Sequence, residues 1–258
     1  PSPLLDSIIL SDYNGYNISC NGYNDGFIDL LVSGSVPPYS YQWNNGTVLQ
    51  DLNFVGSGNY SVTVTDDNNC IVNRSLNLIE PTILFSGYQL SDYNGYNISC
   101  NGFDDGSIDL SVSGSVPPYS YQWSNGANSQ DINFVGSGNY SVTVTDDNNC
   151  IVSESMSMIE PSLLISSYQL SDYNGYNVSC SGYNDGAIDF TVNGSVPPYS
   201  YVWSNGLVSQ DVSGLGSGTY SLVIHDLNMC TNFDTIVLSE PSPLLDSIIL
   251  SDYNGYNI

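Results

Sequence analysis

The chain has 258 residues and carries 26 Asp and Glu against one Arg and one His, for a formal net charge of −25. A surface of that sign cannot neutralise phosphates, which excludes nucleic acid as a partner and disfavours anionic membranes. Yet 41% of the residues are hydrophobic and 21 are tyrosine, so the chain is not a disordered acidic tail, and no run approaches the ~18 apolar residues of a membrane-spanning helix.

A period of 80 residues organises the rest. Cys20, Cys100 and Cys180 keep it, as do Cys70, Cys150 and Cys230, the three tryptophans Trp43, Trp123 and Trp203, and the steps Glu80-Pro81, Glu160-Pro161 and Glu240-Pro241. The chain therefore divides into repeats at 1–80, 81–160 and 161–240, followed by a stub at 241–258. The stub reproduces residues 1–18 letter for letter, whereas repeats two and three begin differently, so a 240-residue period overlies the shorter one. The expectation is a window on a longer tandem array, ending on the first strand of a truncated fourth repeat. Nothing at Pro1 has the pattern of a signal peptide, and an export signal is expected outside this stretch.

Within a repeat every signal is β. Seven strands are predicted in the first, in chain order "LLDSIIL" (4–10), "YNISC" (16–20), "FIDLLVS" (27–33), "YSYQW" (39–43), "VLQDLNF" (48–54), "NYSVTVTD" (59–66) and "CIVNRSLNL" (70–78). Turn chemistry separates them at Asn14-Gly15, Asp25-Gly26, Pro37-Pro38, Asn45-Gly46, Gly56-Ser57-Gly58 and Asp67-Asn68-Asn69. Seven short strands in such a span predict an all-β chain of tandem Ig-like β-sandwich domains. An odd number of strands places the two ends of a domain apart, so the domains are expected to run head to tail as an elongated rod.

The cysteines lie outside any C-x-x-C arrangement, and one histidine in the whole chain gives no zinc set. Even pairing points instead to disulfides and an extracellular, oxidising address. Spacing alone lets Cys70 pair with Cys20 or, across the boundary, with Cys100. Strand alternation favours the first, because strand two would end at Cys20 and strand six just before Cys70, at the same end of the sandwich. The expected bridges are Cys20–Cys70, Cys100–Cys150 and Cys180–Cys230, each worth about 4 kcal/mol in the chain-entropy model.

A serine triad would need a histidine in each working repeat, and only His225 is present, where the other repeats have Thr65 and Thr145. The carboxylates follow the turns rather than converging on one cleft, so no enzyme is expected and no cofactor is required. Calcium is the one cofactor the residues suggest. By strand alternation the "NDG" and "TDDNNC" turns share one end of the sandwich, bringing together Asp25, Asp66 and Asp67, then Asp105, Asp146 and Asp147, then Asp185 and Asp226. Against this, Asn21 and Tyr23 stand where a calcium loop has its first two ligands, and Asp-Gly and Asp-Asn are ordinary turn formers. Trp43 and Tyr60 read as core, while Tyr13, Tyr16 and Tyr23 lie in or beside turns, placed either to stack on sugars or to pack at a junction.

The stretches "GSVPPYSYQWNNG" (34–46) and "GSGNYSVTVTDDNNC" (56–70) resemble the SprB repeat of Bacteroidota surface proteins. Cys20, Gly22, Gly26, Pro37, Pro38, Tyr39, Tyr41, Trp43, Asn45, Gly46, Gly58, Tyr60, Val62, Val64, Asp66 and Cys70 fall on its pattern; Ser35 and the third repeat's "YSLVIHD" (220–226) depart from it. The resemblance implies a very large, repetitive adhesin attached to the outer membrane, exported by type IX secretion and moved by the gliding machinery. It also implies O-glycosylation at Asp-Ser/Thr-hydrophobic sites, met here at Ser7, Thr235 and Ser247.

The expected function is thus structural: a segment of an extracellular adhesin filament on a bacterial surface. Its expected partners are neighbouring repeats, an extracellular surface or polysaccharide, and secretion or gliding machinery reached through regions outside this stretch. The alternatives are repeats that themselves bind glycans, and spacers beside a secreted hydrolase. A lysine–asparagine cross-link of the pilin kind is excluded, since the one basic aliphatic residue is Arg74.

Overall fold

A computed structural model describes residues 4–246, and all regular structure among them is β. Ser247 and most of the predicted fourth-repeat strand lie outside the described residues. The first repeat forms six strands: β1 (Leu5–Leu10), β2 (Gly26–Ser33), β3 (Ser40–Trp43), β4 (Leu52–Val55), β5 (Gly58–Thr65) and β6 (Ile71–Leu78). The same six recur as β7–β12 (85–158) and as β13–β18 (165–238). In each repeat the first, second and fourth strands form one antiparallel sheet, and the third, fifth and sixth form another. That is the strand arrangement of an immunoglobulin sandwich without its fourth strand.

The predicted strand "YNISC" is not a strand, and the count falls from seven to six. Asn14 and Gly15, at φ 54° and 90°, make a two-residue turn that closes on a bridge between Tyr13 and Tyr16. The chain then bends so that the N–H groups of Asn17 and Ile18 both donate to the Ile79 carbonyl, at 2.8 and 3.2 Å. Ile18 drops into the core as a plug. A Cβ on Gly26 would fall 2.6 Å from its Cδ1 and 2.8 Å from the Val55 carbonyl, which is why the Asp-Gly turn needs its glycine.

Two compact units are present: one runs to Leu90 and regains Ser107–Met158, the other comprises Ser91–Gly106 and the chain from Ile159 on. In the first unit, period-2 alternation turns Ile28 and Leu30 of β2, and Val62 and Val64 of β5, onto Trp43, Leu52, Leu78 and Ile18. The buried Trp43 indole N–H is satisfied by the Leu49 carbonyl at 2.9 Å. The second unit contains the corresponding third-repeat core, where Phe190 replaces Leu30 and meets Trp203 edge-on, 5.9 Å between centroids.

One polar pair spans the sheets in every repeat. In the first, the chain's only arginine, Arg74 of β6, lies 2.8 Å from the buried carboxylate of Asp6 on β1. In the second, Ser86 on β7 donates to Glu154 on β12 at 2.9 Å, and in the third Ser166 on β13 donates to Asp234 on β18. The acid has changed strands, and the arginine is present only where the carboxylate would otherwise lack a donor.

Candidate functional site

The repeated decapeptide "SDYNGYNISC" and the turn "DDNNC" meet in the first unit, where residues 11–22 of repeat one receive residues 147–150 of repeat two. Asp12 fixes the decapeptide's turn by accepting from Gly15 N–H at 2.8 Å, and Asn17 ties its two arms by donating to the Ser11 carbonyl at 2.9 Å. The Tyr13 carbonyl, which already accepts from Tyr16 N–H at 3.2 Å, and the Ser19 carbonyl both face the incoming turn. The Asn148 side-chain amide donates to both, at 3.2 and 3.1 Å, and its oxygen accepts from Asn14 at 2.6 Å. Asn14 also donates to Asp147 at 2.8 Å. Beside this clasp a disulfide joins Cys20 to Cys150, with Cα atoms 5.7 Å apart. The linker is gripped as well: Gly22 N–H donates to the Glu80 carboxylate at 2.6 Å and Asn21 to the Pro81 carbonyl at 3.1 Å.

The second unit holds the same arrangement one repeat further on. Asn228 donates to the Tyr93 and Ser99 carbonyls at 3.2 and 3.0 Å and accepts from Asn94 at 2.5 Å. Cys100 is bonded to Cys230, and Gly102 and Asn101 hold Glu160 and Pro161 at 2.6 and 3.1 Å. Leu227 replaces Asp147, so the extra bond to the first asparagine of the turn is lost.

The bridges correct the expected pairing. They are Cys20–Cys150 and Cys100–Cys230, each across 130 residues, while Cys70 and Cys180 are unpaired and exposed. The physical reason is the missing strand. The decapeptide loops back at the end of the sandwich where β1 finishes and β6 ends, so Cys20 stays there. Cys70 sits between β5 and β6 at the other end, where Asp67 N–H donates to Val36. Cys20–Cys70, Cys100–Cys150 and Cys180–Cys230 would each have to span a domain.

The same reversal separates the proposed calcium ligands. Asp25 lies in the decapeptide's end of the repeat and accepts from Ser19 N–H and Oγ; Asp105 and Asp185 repeat this with Ser99 and Ser179. Asp66, at the opposite end, accepts from Ser35 Oγ and from the N–H groups of Val36 and Cys70. Asp146 and Asp226 do likewise with Ser115 and Ser195, whereas Asp67 and Asp147 are exposed. Among the described residues no three acidic, cysteine or histidine groups come together. The Ser35 hydroxyl, ahead of the backbone donors, holds the Asp66 carboxyl below its ordinary range, and the Ser179 hydroxyl and N–H do the same for Asp185.

Of the other predicted residues, Ser7 and Thr235 are exposed on their strands. Tyr23 and Tyr183 are also exposed, whereas Tyr13 and Tyr16 are half-buried against the turn. His225 sits at a strand end in register with Ser200. Sequence reasoning missed Asn148 and Asn228. The signal was there in "HDLNMC" (225–230), where Asp226, Asn228 and Cys230 are kept while Leu227 and Met229 replace their counterparts. The three kept residues are those whose side chains make the same contacts in both units.

Residues 16–48, 96–128 and 176–208 match the family model described as SprB repeat. Each of the three repeats thus contains one segment that matches this model. No curated protein matches it. Among solved structures, this chain is similar to a 1.5-MDa bacterial ice-binding adhesin, at 13% identity over 95% of this chain and 99% of that one, with a TM-score of 0.42. A Ca2+-stabilized adhesin of an Antarctic bacterium matches at 11% identity, covering 91% and 73%, TM-score 0.36. A tetra-tandem repeat from the extending region of a large adhesion protein matches at 13%, covering 91% and 74%, TM-score 0.25. At these scores the likenesses lend no weight to any function of the SprB repeats.

Proposed function

We propose that this chain is a stalk segment of a large extracellular adhesin, in which each SprB repeat, with the boundaries 1–80, 81–160 and 161–240, serves as a spacer joined head to tail to the next. The observation that carries the reading is the duplicated junction: Cys20–Cys150 with Asn148, and Cys100–Cys230 with Asn228, fix successive repeats by the same contacts. Side chains spent on joining repeats suit a load-bearing spacer better than a catalyst. The disulfides favour an oxidising, extracellular location, and the family supports attachment to a bacterial outer membrane and a part in gliding. Electron microscopy of the native protein tests the reading: a thin beaded fibre on the cell surface is expected, and a compact globule would refute it.

A second reading, glycan binding by the repeats, is favoured by the exposed rings of Tyr23, Phe103 and Tyr183 at equivalent positions. Selective retention of this chain on a glycan array, abolished by Tyr23→Ala with Phe103→Ala and Tyr183→Ala, would establish it. Calcium has no part in this proposal, because the carboxylates expected to hold it lie at opposite ends of a repeat; a chelator is expected to leave the melting temperature unchanged.

A further inference from the structure

The two disulfides are interleaved: Cys100 lies inside the loop closed by Cys20–Cys150, and Cys230 lies outside it. We propose that this crossed register makes the bridges a tensile bypass, which carries load from repeat to repeat and relieves most of each sandwich of it. The inference takes its purpose from the stalk function proposed above, but its mechanics follow from covalent connectivity alone.

Consider a pull along the chain. From Cys20 the bridge leads directly to Cys150, and residues 21–69, which hold β2–β5, hang slack. From Cys150 the backbone runs through β12 (Ile151–Met158), Glu160-Pro161, β13 (Ile165–Leu170) and a decapeptide to Cys180. In any run of repeats bridged in this register, that closing-to-opening segment is the backbone under tension, and two repeats are passed for each one traversed. A fully drawn repeat then contributes ~50 Å, against ~270 Å for an unbridged one and ~100 Å with bridges inside each repeat. In such a run the stretch that holds Trp43, Pro37-Pro38 and strands β2–β5 is shielded; with the two bridges of this chain alone the equivalent stretches of the first and third repeats are bypassed, and that of the second, residues 100–150, lies on the loaded route. The stretch that bears load is the one clasped by Asn148 and by Gly22 on Glu80.

Single-molecule pulling of the full chain by its two ends tests this. When oxidised, the shortest covalent route runs from residue 1 to 20, across to 150, back to 100, across to 230 and on to 258, about 100 residues or ~340 Å of final extension. After reduction with dithiothreitol the whole chain draws out to ~880 Å. Cys150→Ser should lengthen the oxidised chain to ~440 Å, and Cys70→Ser should leave it at ~340 Å. Equal extension before and after reduction, or a gain of ~170 Å on Cys70→Ser, would overturn the proposal. The final extension is read after unfolding, so a variant that folds poorly still reports. A globular native protein in the microscope would sink the stalk function without altering these lengths, so the two fail separately.

Discussion

Two loop segments of the same repeat have opposite histories. The decapeptide at 11–20 recurs unchanged at 91–100 and with one substitution at 171–180, whereas the loop after Trp43 reads Thr47-Val48-Leu49, then Ala127-Asn128-Ser129, then Leu207-Val208-Ser209. Both are held by hydrogen bonds. The difference lies in which atoms bond. In the variable loop the tryptophan N–H and indole N–H find backbone carbonyls, those of Thr47 and Leu49, Ala127 and Ser129, Leu207 and Ser209. In the decapeptide the side chains of Ser11, Asp12, Asn14, Asn17, Ser19 and Cys20 make the contacts. Identity is fixed where side chains specify a neighbour and free where only the backbone does.

The largest test of that contrast is the staple. Cys150→Ser opens a loop of 130 residues and should destabilise the first unit by about 5 kcal/mol in the chain-entropy account, lowering its calorimetric transition by roughly 15 °C. Cys70→Ser, at an unpaired thiol, should stay within about 0.5 kcal/mol. Equal losses from both would restore bridges within a repeat and break the comparison. Next in size comes Asn148→Ala, which strips donors from the Tyr13 and Ser19 carbonyls and should cost about 1–2 kcal/mol. Its first-repeat counterpart, Asn68→Ala, should cost almost nothing, and faster amide exchange across residues 11–20 in Asn148→Ala alone would localise the loss.

Much of this was legible in the letters. Alternation in "FIDLLVS" and "NYSVTVTD", with turn residues between runs, predicts β2 and β5 and the sandwich they build. The Asn14-Gly15 turn was equally plain. "YNISC" misled because a β-branched plug with polar flanks has the pattern of a strand; only the Ile79 carbonyl, far along the chain, decides that Ile18 turns inward. The disulfide register was hidden for a deeper reason. In a strict repeat, shifting a partner by one period leaves every spacing rule intact, so Cys20 with Cys70 and Cys20 with Cys150 differ only in three dimensions.

A third effect fades in acid. Asp185 is held below the ordinary carboxylate range by Ser179, so its folded-state pKa lies under its unfolded one. The stabilisation is therefore complete above about pH 4, where the unfolded carboxylate is ionised, and is lost as pH falls through the lower folded value. Ser179→Ala removes the hydroxyl and keeps the N–H donor, so the stability gap between parent and variant in urea titrations should be steady from pH 7 to 5 and narrow below about 3. A gap that stays constant into acid would mean the serine acts by packing and not through the charge.

The smallest effect is the one the contrast needs most. Replacing Thr47-Val48-Leu49 by the second repeat's Ala-Asn-Ser changes three side chains in a row, two of them apolar and mostly exposed, at 64% for Val48 and 67% for Leu49. The first and third new residues still offer their carbonyls to Trp43, as Ala127 and Ser129 do to Trp123, and the first N–H still faces the Asn45 side chain, as Ala127 faces Asn125 at 3.1 Å. The exchange should therefore alter stability by less than about 0.5 kcal/mol, with the Trp43 fluorescence maximum unmoved. A single conservative change in the decapeptide, Asn17→Asp, should exceed it, because the amide that donates to Ser11 becomes an acceptor facing a carbonyl. If three substitutions in the loop cost more than that one, the division between backbone-specified and side-chain-specified surface would not hold.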